Sequence, residues 1–346
     1  MGFVKDKTLG FFVKTNGFVS KQVYGGLGLA FMLHRVLPAD LRNQYSINRD
    51  LAITPEHLES VITYLTKKGC RFVSLDELHE TLRDGKTPDQ KLICMTLDDG
   101  YRDNMEYGLP VFKKYNVPVA IYITNCFPNQ TALLWWYILE HRIFHSFQLK
   151  IETESVKKEY NWKTIQQGVA LYPEIRDVLK ALPKKDFARV IRESFQIDDA
   201  YIQEQCKAQA LTWAEITQLS REKNVTIGAH TMNHLSMKTL TDDELQYEIS
   251  ASKKELEEKT GKPAEHFAYP YGGFEDAYAR EYKAAKEVFK TATINHRGNI
   301  SAGQRDFMEC IPRMPLAESA TPQKLDYMLN GIDHFSFNGF TKTIHY

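Results

Sequence analysis

The sequence of 346 residues predicts an α/β fold built on a mostly parallel sheet. Short apolar runs, typical of buried strands, alternate with longer segments that have helical periodicity. Two of the apolar runs stop abruptly at polar side chains, one at Asp98 and the other at His230. Because strands that alternate with helices run parallel and end on one face, these polar groups are expected at a common site.

The predicted elements alternate along the chain. Thr54 is a helix-capping residue and Pro55 suits the first helical position, so a helix begins there and Gly69 ends it. The other elements follow from the same periodicities: strands over 29–36, 71–75, 91–97, 117–124, 225–229 and 266–269, and helices over 104–115 and 241–260.

Composition excludes some classes of protein. The chain is 43% hydrophobic, which is enough for a sizeable core. Lys and Arg total 44, as do Asp and Glu, and the charges are dispersed, so nucleic acid is not an expected partner. Five scattered cysteines favour reduced thiols, and no apolar run approaches the roughly 20 residues of a transmembrane helix.

The N-terminus also bears on location. It lacks the uninterrupted apolar core of a signal peptide, so the predicted location is the cytoplasm. Its first 25 residues mix phenylalanines with lysines, which suits peripheral contact at the inner face of the membrane. The simpler interpretation is that this segment covers the floor of the fold.

Adjacent carboxylates form the first candidate site. Asp98 and Asp99 end the apolar run from Leu92 and precede Gly100. Neighbouring carboxylates repel each other, so such a pair persists where a cation or a reacting proton takes up the charge. An isolated Asp-Asp-Gly, by contrast, is usually a turn.

Two histidines offer the further ligands that a cation site needs. His230 and His234 follow the apolar run from Val225 and fall on one side of a helical turn or tight loop. Two imidazoles and one carboxylate leave a coordination position open for water, which is typical of catalytic metals. An isolated HxxxH is usually solvated surface, but both motifs at strand ends together favour a site.

These motifs resemble those of the polysaccharide deacetylases of carbohydrate esterase family 4. Thr96-Leu97-Asp98-Asp99-Gly100 matches the family's Thr-Phe-Asp-Asp-Gly, and His230-Thr231-Met232-Asn233-His234 matches its His-Ser/Thr-x-x-His. Ala268-Tyr269-Pro270-Tyr271-Gly272 aligns with the third motif, Arg-x-Pro-Tyr-Gly, but lacks its Arg. The resemblance implies the family's distorted (β/α)7 barrel.

The resemblance also implies a domain organisation. It covers roughly 27–128 and 211–320, which would form the barrel. The segment 129–210 is predicted to be a mostly helical insertion at the catalytic face. Residues 1–26 would be an N-terminal extension, and 321–346 a C-terminal segment.

Two residues are candidates for family positions that this sequence lacks. In the family, the Arg of motif three orients the catalytic acid; Arg313 is the candidate to lie beside Asp98, and an exposed surface Arg is the alternative. The late Leu-x-His motif is also absent. The strand ending at His34 is similar to the permuted branch, such as the poly-N-acetylglucosamine deacetylases, in which an N-terminal strand supplies this His. A core histidine is the alternative for His34, and His296 and His334 are the runner-up proton donors.

The resemblance then implies a ligand set and a mechanism. Asp99, His230 and His234 would hold one divalent metal, zinc first, with Co2+, Ni2+ or Fe2+ as alternatives. The metal would polarise the acetamide carbonyl and activate water.

The remaining roles fall to protein groups. Asp98 would take the proton of the water, and the backbone NH of Tyr271 would stabilise the oxyanion with the metal. His34 would protonate the leaving amine. Four aromatic residues are candidate sugar contacts: Tyr101, Trp135, Trp136 and Tyr269. For Trp135, Trp136 and Tyr137, the core of the insertion is the favoured interpretation, because their segment has helical apolar spacing.

The predicted function is therefore metal-dependent N-deacetylation of sugars in a polysaccharide or glycan precursor. Two alternatives remain: an amidohydrolase acting on a non-carbohydrate amide or imide, and a non-catalytic glycan-binding protein, which the missing Arg makes conceivable. Retention of Asp98 argues against the second, because a binding protein needs no base. The sequence leaves open the sugar, its linkage to polymer or lipid, and the oligomeric state.

Overall fold

Parallel strands form the centre of the fold. A computed structural model describes residues 25–44 and 46–332. The strands in chain order are β1 (Gly28–Leu33), β2 (Arg35–Val36), β3 (Ala52–Ile53), β4 (Arg71–Phe72), β5 (Leu92–Leu97), β6 (Val119–Ile123), β7 (Gln148–Glu152), β8 (Lys157–Asn161), β9 (Val225–Ala229), β10 (His266–Ala268), β11 (Thr291–Thr293) and β12 (Met314–Pro315).

The main sheet curls into a distorted barrel. Seven strands follow one another in the order β11, β10, β9, β6, β5, β1 and β12, and β4 pairs with the start of β5. Every pairing in this sheet is parallel. A bridge between Thr293 and Ile311 joins β11 to the chain that leads into β12, so the two edges of the sheet meet. The predicted fold class is confirmed.

Helices surround the barrel and make up most of the long segment between β6 and β9. In chain order they are α1 (Ala39–Arg42), α2 (Pro55–Lys67), α3 (Leu75–Arg83), α4 (Leu109–Lys114), α5 (Trp135–His145), α6 (Ile165–Lys180), α7 (Lys184–Phe195), α8 (Asp199–Gln209), α9 (Trp213–Leu219), α10 (Asp242–Thr260), α11 (Ala279–Lys286) and α12 (Pro322–Leu329). None of the helices in the described part of the chain is long and apolar enough to cross a membrane.

Capping explains where the predicted boundaries hold and where they shift. The Thr54 hydroxyl accepts a hydrogen bond from the His57 NH, so α2 begins as predicted. The strand predicted over 71–75 ends earlier, at Phe72, because Ser74 caps α3. The helix predicted over 104–115 starts as a π-helical turn, Asn104–Gly108, before α4.

Some predictions fall on the chain ends. The N-terminal segment that was expected to cover the barrel floor lies almost entirely outside the described residues, as does His334. The predicted C-terminal segment is described only through α12, which contacts β1.

The segment between β6 and β9 contains α5 to α9 and an antiparallel hairpin, β7 and β8, that the sequence analysis did not predict. The hairpin has a weak sequence signal because the exposed β8, Lys-Lys-Glu-Tyr-Asn, buries only Tyr160. Leu149 and Ile151 of β7 are the buried side chains of its partner strand.

A buried carboxylate ties this segment to the chain between β2 and β3. Glu140 of α5 accepts hydrogen bonds from the backbone NH groups of Ile47 and Asn48, both at 3.0 Å, and from Asn48 Nδ2 at 2.7 Å. The Tyr172 hydroxyl of α6 donates to Asn48 Oδ1 at 2.9 Å. The segment 46–51 is therefore held against α5 and α6.

Removing this carboxylate should destabilise the protein. Glu140→Ala leaves the buried Asn48 NH and the partly buried Ile47 NH without an acceptor, and the loss of an acceptor by a buried donor costs about 1–3 kcal/mol. We expect the free energy of unfolding in urea to fall by at least that amount. Glu154→Ala, at an exposed position of the same segment, is the control and should change it little. Equal stability of the two variants would contradict the argument.

Candidate active site

The carboxyl ends of the barrel strands open into a cavity of about 490 Å³. The predicted catalytic and ligand side chains all line it: His34, Asp98, Asp99, His230, His234, Tyr271 and Arg313. Trp135 and Trp136 of α5 and Tyr269 of the barrel line it as well. Residues that lie far apart in the sequence thus share one space, because parallel strands end on the same face.

Three side chains in the cavity converge as a metal site requires. Asp99 Oδ1 lies 3.4 Å from His230 Nε2 and 3.2 Å from His234 Nε2. Asp99 Oδ1 is buried and has no hydrogen-bond partner in the described structure. A buried carboxylate oxygen without a partner is costly, and a cation would satisfy it. The donor set therefore fits one divalent metal.

The surroundings orient this set. His230 Nδ1 lies 2.7 Å from the Ala268 carbonyl oxygen, a contact that directs Nε2 into the cavity. Burial by itself raises the pKa of Asp99, but the neighbouring imidazoles of His234 and His230 outweigh it and hold that pKa well below its usual range. Asp99 is thus ionised at neutral pH, as a carboxylate that binds a cation must be.

The backbone of the site is unusual. Asp99, Thr231, His234 and Tyr271 have φ angles of 77°, 67°, 54° and 60°, in the left-handed region that favours glycine. Such conformations cost free energy and persist only where surrounding contacts enforce them. Their concentration around one cavity is typical of a functional site.

Arg313 lies directly against Asp98. Its guanidinium donates to both carboxylate oxygens, with Nη1 to Oδ1 at 2.6 Å and Nη2 to Oδ2 at 2.7 Å, and Nη1 also donates to Thr96 Oγ1 at 3.1 Å. Arg313 is fully buried, so the alternative of an exposed surface Arg does not hold. Burial raises the pKa of Asp98, but the charge of Arg313 outweighs it and the net shift is downward.

His34 follows β1 at the level of Asp98. Leu33 pairs with Leu97, and the Asp98 NH donates to the Leu33 carbonyl at 2.9 Å. The His34 carbonyl accepts from Asn104 Nδ2 at 2.8 Å. Burial is the main cause that lowers the pKa of His34, against the opposing charges of Asp99 and Asp98. A lower pKa makes the imidazolium a stronger proton donor but less populated at neutral pH.

The Tyr271 hydroxyl makes hydrogen bonds to two neighbouring residues of the site. That oxygen accepts from Trp135 Nε1 at 3.2 Å and donates to the His234 carbonyl at 3.3 Å. The Tyr271 NH donates no hydrogen bond within the described residues. The Tyr269 hydroxyl is also committed, since it donates to the Glu309 carbonyl at 2.8 Å.

The other aromatic candidates divide between core and cavity. Trp135 and Trp136 belong to the hydrophobic core and also line the cavity, so the two interpretations are not exclusive. Trp136 Nε1 donates to the Tyr101 hydroxyl at 3.2 Å. Tyr101 is fully buried in the hydrophobic core and is not among the residues that line the cavity.

Sequence reasoning missed part of the cavity wall. Tyr172, Arg176 and Lys180 line the cavity from α6, and their i, i+4 spacing marks one face of that helix without indicating what it faces. Lys180 Nζ lies 2.8 Å from Asp276 Oδ2 and 4.7 Å from the centre of the Tyr271 ring. The segment 46–51 contributes to the wall as well, with Asn48 among its residues, and it carries no motif.

His296, a runner-up proton donor, lies elsewhere. Its ring contacts Phe274, with the ring centres 4.3 Å apart, and it does not line the cavity. Burial lowers the pKa of His296. Among the described histidines outside the ligand set, His34 alone lines the cavity.

Known proteins resemble this chain in sequence and in fold. YxkH of Bacillus subtilis (strain 168), named as a candidate polysaccharide deacetylase, is 29% identical over 87 residues, which are 25% of this chain and 31% of that protein. The structure of the Streptococcus pyogenes deacetylase PplD in complex with acetate has a TM-score of 0.57 at 14% identity, over 87% of this chain and 97% of that chain. IcaB from Ammonifex degensii has a TM-score of 0.55 at 15% identity, over 89% and 98%.

At these identities the two structures show a shared fold. The family described as polysaccharide deacetylase matches residues 85–287 of the sequence, which is more than half of the chain. The matched range includes Asp98, Asp99, His230 and His234, so the resemblance inferred from the motifs is confirmed. The chain belongs to the polysaccharide deacetylase family.

Proposed function

We propose that this protein is a metal-dependent N-deacetylase that removes acetyl groups from N-acetylated sugars of a polysaccharide or glycan precursor. One observation carries the proposal: a carboxylate held by a buried guanidinium stands beside an Asp-His-His ligand set in one cavity. Metal-dependent hydrolysis of an amide uses a proton acceptor for the attacking water and a Lewis acid that polarises the carbonyl. Asp98 is the candidate acceptor, and the Asp-His-His set is the candidate site for the Lewis acid.

Asp99, His230 and His234 would hold the metal, with zinc first and Co2+, Ni2+ or Fe2+ as alternatives. When bound, the cation supplies Lewis acidity, which polarises the acetamide carbonyl and makes water acidic enough to attack near neutral pH.

The protein groups handle the protons and the developing charge. Asp98 is the base that takes the proton of the attacking water, and Arg313 keeps its carboxylate ionised and fixed in direction. The Tyr271 NH would donate to the oxyanion. His34 would deliver a proton to the departing amine, so that acetate and a free amino sugar result.

The structure bears differently on the two alternative functions, the amidohydrolase and the glycan-binding protein. An amidohydrolase for a non-carbohydrate amide or imide shares this ligand set, because the site selects the bond and not the scaffold that carries it. The case for a non-catalytic glycan-binding protein was the missing Arg at Ala268. The contact of Arg313 with Asp98 weakens that case, since a guanidinium occupies the expected place beside the base. The cytoplasmic location, or one at the inner face of the membrane, stays a prediction.

The central test is acetate release. We expect the purified protein to release acetate from short oligomers of N-acetylglucosamine or from other N-acetylated glycans, to lose this activity with a chelator, and to regain it with added Zn2+ or Co2+. Release from simple amides or imides alone would favour the amidohydrolase. Glycan binding without any release would favour the binding protein.

The two neighbouring acids should behave differently. Asp98→Asn should retain metal yet lose nearly all turnover, because an amide cannot accept the proton. Asp99→Asn should lose metal affinity, because a charged ligand is removed. Metal content by mass spectrometry and acetate release distinguish them, and substantial turnover by folded Asp98→Asn would contradict the assignment.

Arg313→Lys should separate charge from geometry. Lysine keeps the positive charge but cannot donate to both oxygens of Asp98, so the carboxylate loses its fixed direction. We expect kcat to fall by about 10²-fold, as misplacement of a reacting group does, with little change in KM. Arg305→Lys, at an exposed site, is the control. Equal kcat for both variants would show that the bidentate contact has no catalytic effect.

The leaving-group role of His34 has its own signature. His34→Ala should fold and bind metal but lose roughly 10²- to 10⁴-fold of its rate on the N-acetyl sugar. The loss should be much smaller with an activated acetyl ester, whose leaving group departs without a proton. An equal loss on both substrates would instead indicate a positional role.

A further inference from the structure

The loop that carries both histidine ligands is held in an unfavourable backbone conformation. Thr231 and His234, which lie within and at the end of this loop, have φ angles of 67° and 54°. Since neither residue is glycine, contacts outside the loop must enforce this shape. Residues 230–234 are called the ligand loop below.

The carbonyl groups of the ligand loop are bound from the side of β6. The Asn125 NH donates to the Thr231 carbonyl at 3.1 Å, and the Cys126 NH donates to the Met232 carbonyl at 2.8 Å. These two contacts fix one side of the loop.

The NH groups of Met232 and Asn233, in the middle of the ligand loop, are bound by one side chain, Glu248 of α10. Its Oε2 accepts from the Met232 NH at 3.0 Å and from the Asn233 NH at 2.9 Å, and its Oε1 accepts from Asn233 Nδ2 at 2.7 Å. Glu248 has no exposed surface. One buried carboxylate thus satisfies three donors of the turn between the two ligands.

A buried carboxylate needs a counter-charge, and α7 provides it. Lys184 Nζ lies 3.3 Å from Glu248 Oε1, and the lysine side chain is 28% exposed. Lys184 occupies the first turn of α7, where the helix dipole disfavours a cation, so this lysine does not stabilise its own helix. Its favourable contacts are with Glu248 and with the Tyr247 ring, whose centre lies 5.3 Å from Lys184 Nζ.

We propose that Glu248 is a positioning residue for the metal ligands and that Lys184 supports it across the boundary between the inserted helices and the barrel. Glu248 acts through the ligand loop, since its contacts are with Met232, Asn233 and Lys184. This inference rests on the proposed function, because it assigns a purpose to the loop that carries His230 and His234.

The test measures metal affinity. Zn2+ affinity is determined by competition with a chromophoric chelator, and the Co2+ absorption spectrum reports the ligand geometry. Glu248→Gln cannot reproduce the contacts, because its NH2 group would face a donor in either orientation. We expect it to bind Zn2+ about 10- to 100-fold more weakly, which is typical for residues that orient metal ligands, and to alter the Co2+ spectrum.

The lysines supply a matched pair. Lys184→Met should weaken Zn2+ binding in the same direction but less, whereas Lys185→Met, at the neighbouring exposed position, should not change it. Both lysines lie in the first turn of α7, so their difference reports the contacts of Lys184, and of these only the one with Glu248 leads to the ligand loop. If Glu248→Gln fails to fold by circular dichroism, this pair decides the question.

The outcomes separate the two proposals. A wild-type protein without Zn2+ affinity would overturn the proposed function and this inference together. A wild-type protein that binds Zn2+, alongside a folded Glu248→Gln variant with the same affinity and the same Co2+ spectrum, would overturn this inference alone. Equal affinities of Lys184→Met and Lys185→Met would remove Lys184 from it.

Discussion

Two adjacent carboxylates buried at the end of one strand set the constraint on which the rest of the site depends. Asp98 and Asp99 cannot both remain ionised in the interior without positive charge nearby. Each carboxylate has its own positive or polar partners in the fold: Arg313 contacts Asp98, and the imidazoles of His230 and His234 lie beside Asp99. The two carboxylates therefore differ: both oxygens of Asp98 accept from Arg313, whereas Asp99 Oδ1 has no hydrogen-bond partner in the described structure.

Closure of the barrel supplies the partners. β1 lies between β5 and β12, so the residue after β1, His34, reaches the level of Asp98. The chain that bridges to β11 and leads into β12 carries Arg313 to the same place. The third motif has Ala268 in place of its Arg, and a guanidinium from a neighbouring edge of the sheet lies against Asp98. The function of a motif residue depends on where its charge lies and not on where it occurs in the sequence.

The inserted helices complete the cavity and connect its walls. α5 and α6 contribute aromatic and cationic side chains. Two ion pairs join α6 and α7 to the barrel: Lys180 of α6 with Asp276, and Lys184 of α7 with Glu248 of α10. The partners Asp276 and Glu248 are both buried, so screening by solvent weakens these pairs less than it weakens surface ion pairs. Insertion and barrel therefore form one site.

The sequence by itself determined the fold class, the family and the two motifs, because periodicity and residue spacing are local properties. Asp98, Asp99, His230 and His234 could be named from short segments. The sequence could suggest Arg313 and His34 only as candidates, because their positions in space depend on strand order and register. Only the tertiary structure decided three other features: which face of α6 lines the cavity, the burial of Tyr101, and the hydrogen bonds of Glu248 to the ligand loop. Contacts between distant segments leave no periodic trace in the chain.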